Sequence, residues 1–266
     1  MAEVTKEKIT FFTTLEQFLY REKNSLLSWT KLDCVNEIVV YTSLETSQIL
    51  EHPKVVVRTY PKELKPLDPP SIKDLFLDAI EKTQNQYLCY VNSDIIFLSD
   101  FCETFKNIKD KYDKPFQMVG KRRDWENHYD LDILNLSDEQ IKEKVGHMPL
   151  RNTEHCDYFA FDRKVYTDLN DKGFFPNFFI ARGSFDRCML WLPRQLGYDS
   201  IDCSEAIYVI HHEEGGDIRG PYMSSRPSFW PQLKENEKLL AEAMRKFNQS
   251  THVIPNFPGV NVKAPL

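Results

Sequence analysis

The residues best suited to chemistry in this sequence lie in a break between two apolar runs, at Asn92, Ser93 and Asp94. The run before the break, Gln86 to Val91, has the apolar and aromatic character of a strand that is buried on both faces. A carboxylate at the end of such a strand needs a partner, and a hard cation such as Mg2+ or Mn2+ is one. Asp and Asn also open turns by bonding to nearby backbone N–H groups. Asp94 is therefore either a metal ligand or a turn residue.

Three other polar clusters follow predicted strands or aromatic runs, at Lys121 to Asp124, Arg182 to Asp186 and His211 to Glu213. The carboxyl ends of the strands in an open α/β sheet border the crevice in which ligands bind. We therefore predict that these clusters converge with Asn92 to Asp94 at one edge of one sheet. This convergence, rather than any single cluster, supports the prediction of a ligand site.

The histidine pair His211 and His212 provides the second candidate for metal binding. Adjacent residues of a strand point to opposite faces, so at most one of the two faces a given site. A histidine, an aspartate and water form a suitable ligand set for Mn2+. The alternative is a histidine that is satisfied in a turn or in the core.

The residues Lys121, Arg122 and Arg123 form a dense basic cluster near a predicted strand end. Arginine binds phosphate through two parallel hydrogen bonds, and lysine supplies a compact charge. The cluster is thus a candidate for phosphate binding. The alternative is a solvated surface run that pairs with Asp124 and Glu126.

Two further carboxylates are open to two interpretations. Asp186 lies at a predicted helix start, just after Gly183. It is either a helix cap or a general base that faces an acceptor hydroxyl. Asp157 opens an aromatic strand and has the same two interpretations.

The composition limits the classes of function. The 266 residues carry a net charge of -6, which argues against a nucleic-acid-binding surface because phosphate neutralisation needs clustered Lys and Arg. We see no apolar segment long enough for a signal peptide or a membrane span, so we expect a cytoplasmic protein. The six cysteines include no C-x-x-C pair. We expect them to be reduced and mostly buried, without disulfides.

Strands and helices alternate along the first half of the chain, which predicts a parallel α/β sheet. Thr13 and Thr14 end the first predicted strand and Thr42 ends the second, where such sheets hold ligands. We expect one domain over residues 1–250 and a tail over 251–266. The predicted strands are 9–13, 37–42, 54–59, 87–91, 117–120, 157–161, 200–203 and 206–210, and the predicted helices are 15–32, 71–83, 100–112, 131–145, 164–169, 187–196 and 233–247.

Taken in order, these motifs make the chain similar to a known class of enzymes. It resembles the GT-A class of nucleotide-sugar-dependent glycosyltransferases, over about residues 9 to 212. No single motif is specific, but their order and spacing are. The motifs are Phe12-Thr13-Thr14, Ser28-Trp29, Tyr90-Val91-Asn92-Ser93-Asp94-Ile95, Val119-Gly120-Lys121-Arg122, Asp157-Tyr158-Phe159, Arg182-Gly183-Ser184-Phe185-Asp186 and His211.

The resemblance implies a single GT-A-like (Rossmann-like) domain, with a mainly parallel mixed central sheet flanked by helices. It also implies a D-x-D motif that holds Mn2+ or Mg2+ against the diphosphate of a nucleotide-sugar donor. The first Asp of that motif is Asn92 here. Asp94 is then the sole carboxylate of the trio, and His211 would complete the metal site.

The same resemblance implies roles for the other candidates. The threonines Thr13, Thr14 and Thr42 would line the nucleoside pocket. Asp186 matches the base of inverting members, and Asp157 is the second catalytic candidate. The remaining donor-binding candidates are Asn92, Ser93, Lys121, Arg122 and Arg182.

The predicted function is transfer of a sugar, with a UDP-sugar favoured as donor, to an acceptor hydroxyl on a glycan. The expected partners are the nucleotide sugar and that acceptor, with no nucleic acid and no membrane span. A sugar-phosphate nucleotidyltransferase is one alternative, but it would need a Gly-rich, basic loop after the first strand. Thr13-Thr14-Leu15-Glu16 is not such a loop. A non-catalytic carbohydrate-binding domain is the other alternative.

Overall fold

The computed structural model describes residues 5–61, 69–126, 131–151, 156–213, 229–247 and 262–263. Its strands are β1 Thr5–Leu15, β2 Val35–Thr42, β3 Val55–Arg58, β4 Asn85–Val91, β5 Ile95–Ile96, β6 Phe116–Val119, β7 Arg123–Glu126, β8 Tyr158–Asp162, β9 Asp199–Asp202, β10 Ile210–Glu213 and β11 Val262–Lys263. Its helices are α1 Tyr20–Lys31, α2 Ile72–Lys82, α3 Asp100–Lys111, α4 Asp138–Val145, α5 Arg163–Asp171, α6 Phe185–Gln195 and α7 Phe229–Lys246, with a short 3-10 helix at Thr46–Gln48.

A mixed central sheet has the strand order β11-β9-β6-β8-β4-β1-β2-β3. Among its described strands, β8 alone is antiparallel to its neighbours, β4 and β6. The carboxyl ends of β1, β2, β4 and β6 and the amino end of β8 therefore lie at one edge. This confirms the predicted α/β class with a mainly parallel sheet flanked by helices.

The core forms on both faces of this sheet because successive side chains of a strand alternate between faces. Phe11 packs at 5.1 Å from Phe101 and 5.7 Å from Trp29, measured between ring centroids. Phe12 points the other way and lies 5.0 Å from Phe76. These rings have no solvent-exposed surface, and each contributes about 1.5–3 kcal/mol on burial.

A second sheet has the order β5-β10-β7 and was not predicted as a sheet. The predicted strand at 206–210 was wrong, since Ala206 N and Ile207 N bond to Cys203 O in a turn and the strand begins at Ile210. The predicted helix at 131–145 is helical only from Asp138, after the Ser137 capping box. The first helix begins at Tyr20 rather than near Leu15.

The expectation that every cysteine is reduced was also wrong. Cys34 and Cys102 form a disulfide with a Cα–Cα distance of 5.5 Å across a sequence separation of 68. Spacing could not indicate this pair, because the start of β2 and helix α3 meet only in the folded chain. The cysteines that are free and buried, as expected, are Cys89, Cys156, Cys188 and Cys203.

No helix in the described ranges is both long and apolar enough to cross a membrane. The predicted tail, 251–266, lies outside the described residues except for β11, which pairs in parallel with β9.

Candidate active site

The second sheet builds the centre of the candidate site through its register. Strand β10 pairs with β5 on one side, with His211 opposite Ile95, and with β7 on the other, with His211 opposite Asp124. Asp94 lies just before β5, and its backbone oxygen accepts a hydrogen bond from His212 N at 3.0 Å. Asp94, His211 and Asp124 therefore form one row across neighbouring segments.

The side chains of this row are in contact. His211 Nε2 lies 3.3 Å from Asp94 Oδ2, and His211 Nδ1 lies 3.2 Å from Asp124 Oδ1. His212 faces the other way and lies 4.6 Å from the Trp125 ring, measured between centroids. Alternation along β10 thus directs His211, rather than His212, to the carboxylates.

A second cluster joins the row to the edge of the central sheet. Arg122 Nη1 donates to Asp157 Oδ1 at 2.5 Å, and Arg122 Nε donates to Asp124 Oδ1 at 2.8 Å. Asn92 Nδ2 donates to the same Asp157 oxygen at 2.9 Å. Asp157 is buried, and its Oδ2 has no hydrogen-bond partner within the described ranges. The predicted residues Asn92, Asp94, Arg122, Asp157 and His211 therefore belong to one network.

The opposite charges of this network stabilise each other's ionised forms. Burial alone would raise the pKa of Asp124, but the hydrogen bond with His211 and the charges of Arg122 and Arg151 hold that pKa well below its usual value. Burial alone would lower the pKa of Arg122, but Asp157 raises it. Arg122 and Asp124 therefore both stay ionised at neutral pH.

Asn92 has a structural reason to differ from the D-x-D pattern. Its amide donates to Asp157 Oδ1 at 2.9 Å, and its side-chain oxygen accepts from the Tyr90 hydroxyl at 3.2 Å. An aspartate at this position would place a second carboxylate against Asp157, and like charges in contact are unfavourable. The amide fits this neighbour, and Asp94 remains as the carboxylate of the trio.

The three threonines that are candidates for the nucleoside pocket differ in solvent exposure. Thr13 and Thr42 are buried, and Thr42 Oγ1 donates to Leu15 O at 2.7 Å. Thr14 is partly exposed. Thr14 is thus the threonine of the three whose side chain is most open to a ligand.

Ser93 and Lys121 flank this network, and both are half-buried. Lys121 N donates to Ser204 Oγ at 2.9 Å. Its backbone is therefore fixed at the end of β6, beside the predicted phosphate-binding Arg122.

The segment before α6 has an unusual backbone. Ala181 and Ser184 have positive φ angles of 55° and 64°, a conformation that is uncommon outside glycine and often occurs at functional sites. Arg182 between them is fully buried, and its Nε donates to Gln232 Oε1 of α7 at 2.9 Å. The Arg182 side chain is therefore held in place by contacts within the protein.

Asp186 lies in the first turn of α6 and is buried. Its Oδ1 accepts from Arg187 N at 2.9 Å. Burial, followed by the charges of Asp186 and Asp157, raises the pKa of the Cys156 thiol. Both carboxylates therefore lie near enough to this one thiol for their charges to act on it.

The sequence analysis gave no role of their own to three residues beside the site. Asp124 appeared as the end of a polar cluster predicted to converge on the sheet edge and as a partner for its basic neighbours, and Arg151, whose Nη1 donates to Asp124 Oδ2 at 2.9 Å, did not appear. Burial raises the pKa of Glu22, and the negative charge of Asp94 contributes to that rise. Glu22 of α1 therefore lies near Asp94. The available signal was that Asp124 ends the polar cluster that begins at Lys121.

The comparisons with known proteins identify the fold. No family model and no curated protein matches the chain. Among solved structures, GalNAc-T7 with UDP, GalNAc and Mn2+ matches with a TM-score of 0.56 and 12% identity, over 95% of this chain and 52% of that one. The fold is that of the GT-A glycosyltransferases.

Two further structures agree. A mannosyltransferase from Pyrobaculum calidifontis, in complex with GDP-Man and Mn2+, has a TM-score of 0.50 and 13% identity, over 97% of this chain and 79% of that one. S. aureus TarS has a TM-score of 0.51 and 14% identity, over 92% of this chain and 44% of that one. At these identities the likeness establishes the GT-A fold.

The residues present fit the Mn2+ or Mg2+ that this fold implies. The two candidate ligand atoms, His211 Nε2 and Asp94 Oδ2, are 3.3 Å apart, and neighbouring ligands of an octahedral ion at about 2.1 Å are about 3.0 Å apart. No group of three or more His, Cys, Asp or Glu in the described ranges is arranged to hold a metal. Water and the oxygens of a bound phosphate ligand are the usual further ligands of Mg2+.

Proposed function

We propose that this protein is a metal-dependent glycosyltransferase that moves a sugar from a nucleotide sugar, preferably a UDP-sugar, to a hydroxyl of a glycan. The observation that carries this proposal is the contact between Asp94 and His211 at the ligand-binding edge of a GT-A fold. A carboxylate and an imidazole in contact at this edge suit a hard divalent cation. When bound, that cation offsets the charge of the departing nucleoside diphosphate.

The other residues would have two kinds of role, donor binding and proton transfer. Thr14, with Thr13 and Thr42 behind it, would contact the nucleoside, and Lys121 would face the diphosphate. Asp186 would accept the proton of the acceptor hydroxyl. As the bond from the anomeric carbon to the diphosphate oxygen breaks, a bond from that carbon to the acceptor oxygen forms.

Asp157 is better suited to positioning than to proton transfer. Its Oδ1 accepts hydrogen bonds from Arg122 and Asn92, so this oxygen is already engaged by the protein. We propose that Asp157 fixes Asn92 and Arg122 beside the donor. Arg182, which is held by Gln232 and is fully buried, would shape the same site from behind.

The test is a thermal-shift panel of UDP, GDP and their sugars, with and without Mn2+, followed by detection of released nucleotide. A ligand that binds only the folded state raises its stability. We expect stabilisation of the wild type only with metal and loss of that effect in Asp94→Ala. Asp168→Asn is the matched control, since Asp168 pairs with Lys164 on helix α5 at 2.8 Å. Glycan binding without any nucleotide response would instead support a carbohydrate-binding domain.

The predicted cytoplasmic location has an observation against it. Disulfides such as Cys34–Cys102 persist in oxidising compartments and are rare in the cytosol. Alkylation of free thiols and mass spectrometry of the protein from its source decide between the two locations. Six alkylated cysteines would support the cytosol, and protection of the Cys34–Cys102 pair would support an oxidising compartment.

A further inference from the structure

We propose that Asp124 is the positioning residue that fixes the orientation and tautomer of His211 for metal binding. This inference rests on the proposed function, in which Asp94 and His211 hold the cation. Asp124 Oδ1 lies 3.2 Å from His211 Nδ1, on the opposite side of the imidazole from Asp94. One nitrogen of the ring therefore faces the candidate ligand Asp94, and the other faces a carboxylate.

The chemistry of a neutral imidazole makes this arrangement directional. One ring nitrogen carries the proton, and the other offers a lone pair. An ionised carboxylate only accepts hydrogen bonds, so Asp124 requires the proton on Nδ1. A cation held by Asp94 would take the place of a second proton at Nε2, the nitrogen that lies 3.3 Å from Asp94 Oδ2, so the ring would stay neutral with its lone pair on Nε2. Carboxylates that orient a ligating histidine in this way raise its basicity and its metal affinity.

Asp124 is itself held in place on both oxygens. Arg122 Nε donates to Oδ1 at 2.8 Å, and Arg151 Nη1 donates to Oδ2 at 2.9 Å. Arg151 N also donates to Arg122 O at 2.9 Å, which ties the two arginines together. The carboxylate therefore cannot rotate away from His211 without breaking charged hydrogen bonds.

The alternative is that Asp124 only neutralises the two arginines. The register argues for the positioning role, because β7 and β10 pair in parallel with Asp124 directly beside His211. Neutralisation alone would not require this neighbour relation. The two roles differ in what they predict for metal affinity.

The experiment measures Mn2+ binding by the full chain in the presence of UDP and, separately, of GDP, with electron paramagnetic resonance of the free ion. Pulsed measurements of nitrogen coupling report whether an imidazole binds the ion. The variants are Asp94→Ala, His211→Ala, Asp124→Asn and Asp124→Glu, with Asp168→Asn as the control. Unfolding temperatures of all variants show which of them are folded.

We expect Asp124→Asn to weaken Mn2+ binding by about 10–100-fold and to reduce the nitrogen coupling. Asp124→Glu, which keeps an acceptor-only carboxylate, should retain more affinity than Asp124→Asn, and Asp168→Asn should match the wild type. If Asp124→Asn does not fold, the Glu variant is compared with the wild type, and a drop in nitrogen coupling is expected.

Two results would overturn the inference in distinguishable ways. Asp124→Asn could be folded, bind Mn2+ with an affinity within twofold of the wild type and show the same nitrogen coupling. That result would mean that Asp124 only neutralises the two arginines. If the wild type binds no Mn2+ with either UDP or GDP, the proposed function is refuted, and the proposed role of Asp124 is refuted with it.

Discussion

The ion pair between Arg122 and Asp157 gives the sharpest test of the site's energetics. Their side chains are only 13% and 7% exposed, and Nη1 and Oδ1 are 2.5 Å apart. Removing one partner of a buried pair costs about 3–5 kcal/mol because it leaves an unpaired charge. Asp157→Ala leaves Arg122 its second partner, Asp124, which favours the lower end, about 3 kcal/mol. Loss of the acceptor for Asn92 adds about 1 kcal/mol.

The assay is urea unfolding at pH 7, supported by thermal unfolding. A loss of about 3–4 kcal/mol corresponds to a fall in Tm of about 6–16 °C for a domain of this size. Arg122→Met is the reciprocal variant, and Arg122→Met with Asp157→Ala completes a double-mutant cycle. Because the double variant buries no unpaired charge from this pair, it should be less destabilised than the sum of the single variants.

A loss below about 1 kcal/mol in Asp157→Ala would refute the reasoning, because that is the range of a solvent-exposed pair. Strict additivity in the cycle would refute it independently. Asp168→Asn is again the control, since its partner Lys164 is 57% exposed and an asparagine oxygen can still accept from the Tyr198 hydroxyl. Its pair with Lys164 should contribute less than about 1 kcal/mol.

Other regions of the fold give three further predictions. A Cβ at Gly120 would overlap the Tyr158 hydroxyl, so Gly120→Ala should cost about 1–3 kcal/mol. Tyr158→Phe should restore most of that stability in urea unfolding, since it removes the overlapping atom. Reduction of Cys34–Cys102 opens a link across 68 residues and should cost about 4 kcal/mol by the chain-entropy estimate, measured as a lower Tm in reductant. Burial raises the pKa of Glu22 above 4.5, so its ionised form disfavours folding. Glu22→Gln also removes the carboxylate 3.4 Å from the buried Arg21, a loss that does not change with pH over this range. The stability of the wild type relative to Glu22→Gln, measured as urea midpoints, should therefore rise as the pH falls from 7 through the folded pKa of Glu22.

The long strands of the central sheet could be predicted because their sequences are unambiguous. EIVVYT in β2 and the apolar run in β4 are rich in β-branched and aromatic residues, which favour strands that are buried on both faces. Ser71 at the start of α2 was also correct, since its Oγ accepts from Asp74 N at 3.2 Å. These features depend on local sequence, and local sequence was sufficient to predict them.

The second sheet could not be predicted, because its strands have no local signal. Strand β7 reads RDWE and strand β5 has two residues, and neither shows the alternation of a half-buried strand. Both pair with β10, so their conformation depends on a segment far along the chain. The apolar run at 206–210 misled the prediction. Its residues Ile207 and Val209 are buried, but the chain there begins with a turn and forms no strand before Ile210.

The same dependence on distant segments explains what was found and missed in the site. Asp94 and His211 were identified as candidates by residue type, and the structure places them in contact. Asp124 carries the same residue type, but its contact with His211 follows from the β7–β10 register. The match between Asn92 and Asp157 likewise needs the antiparallel pairing of β4 with β8.

The distance along the chain between the members of the row has a consequence for protein synthesis. Asp124 and His211 are 87 residues apart in sequence, so a ribosome that adds about 5–20 residues per second needs about 4–17 s to pass from one to the other. During that interval the nascent chain carries both acidic residues but lacks the histidine between them. Incomplete chains therefore lack the complete row, and the capacity to capture metal and donor would arise only as β10 is completed.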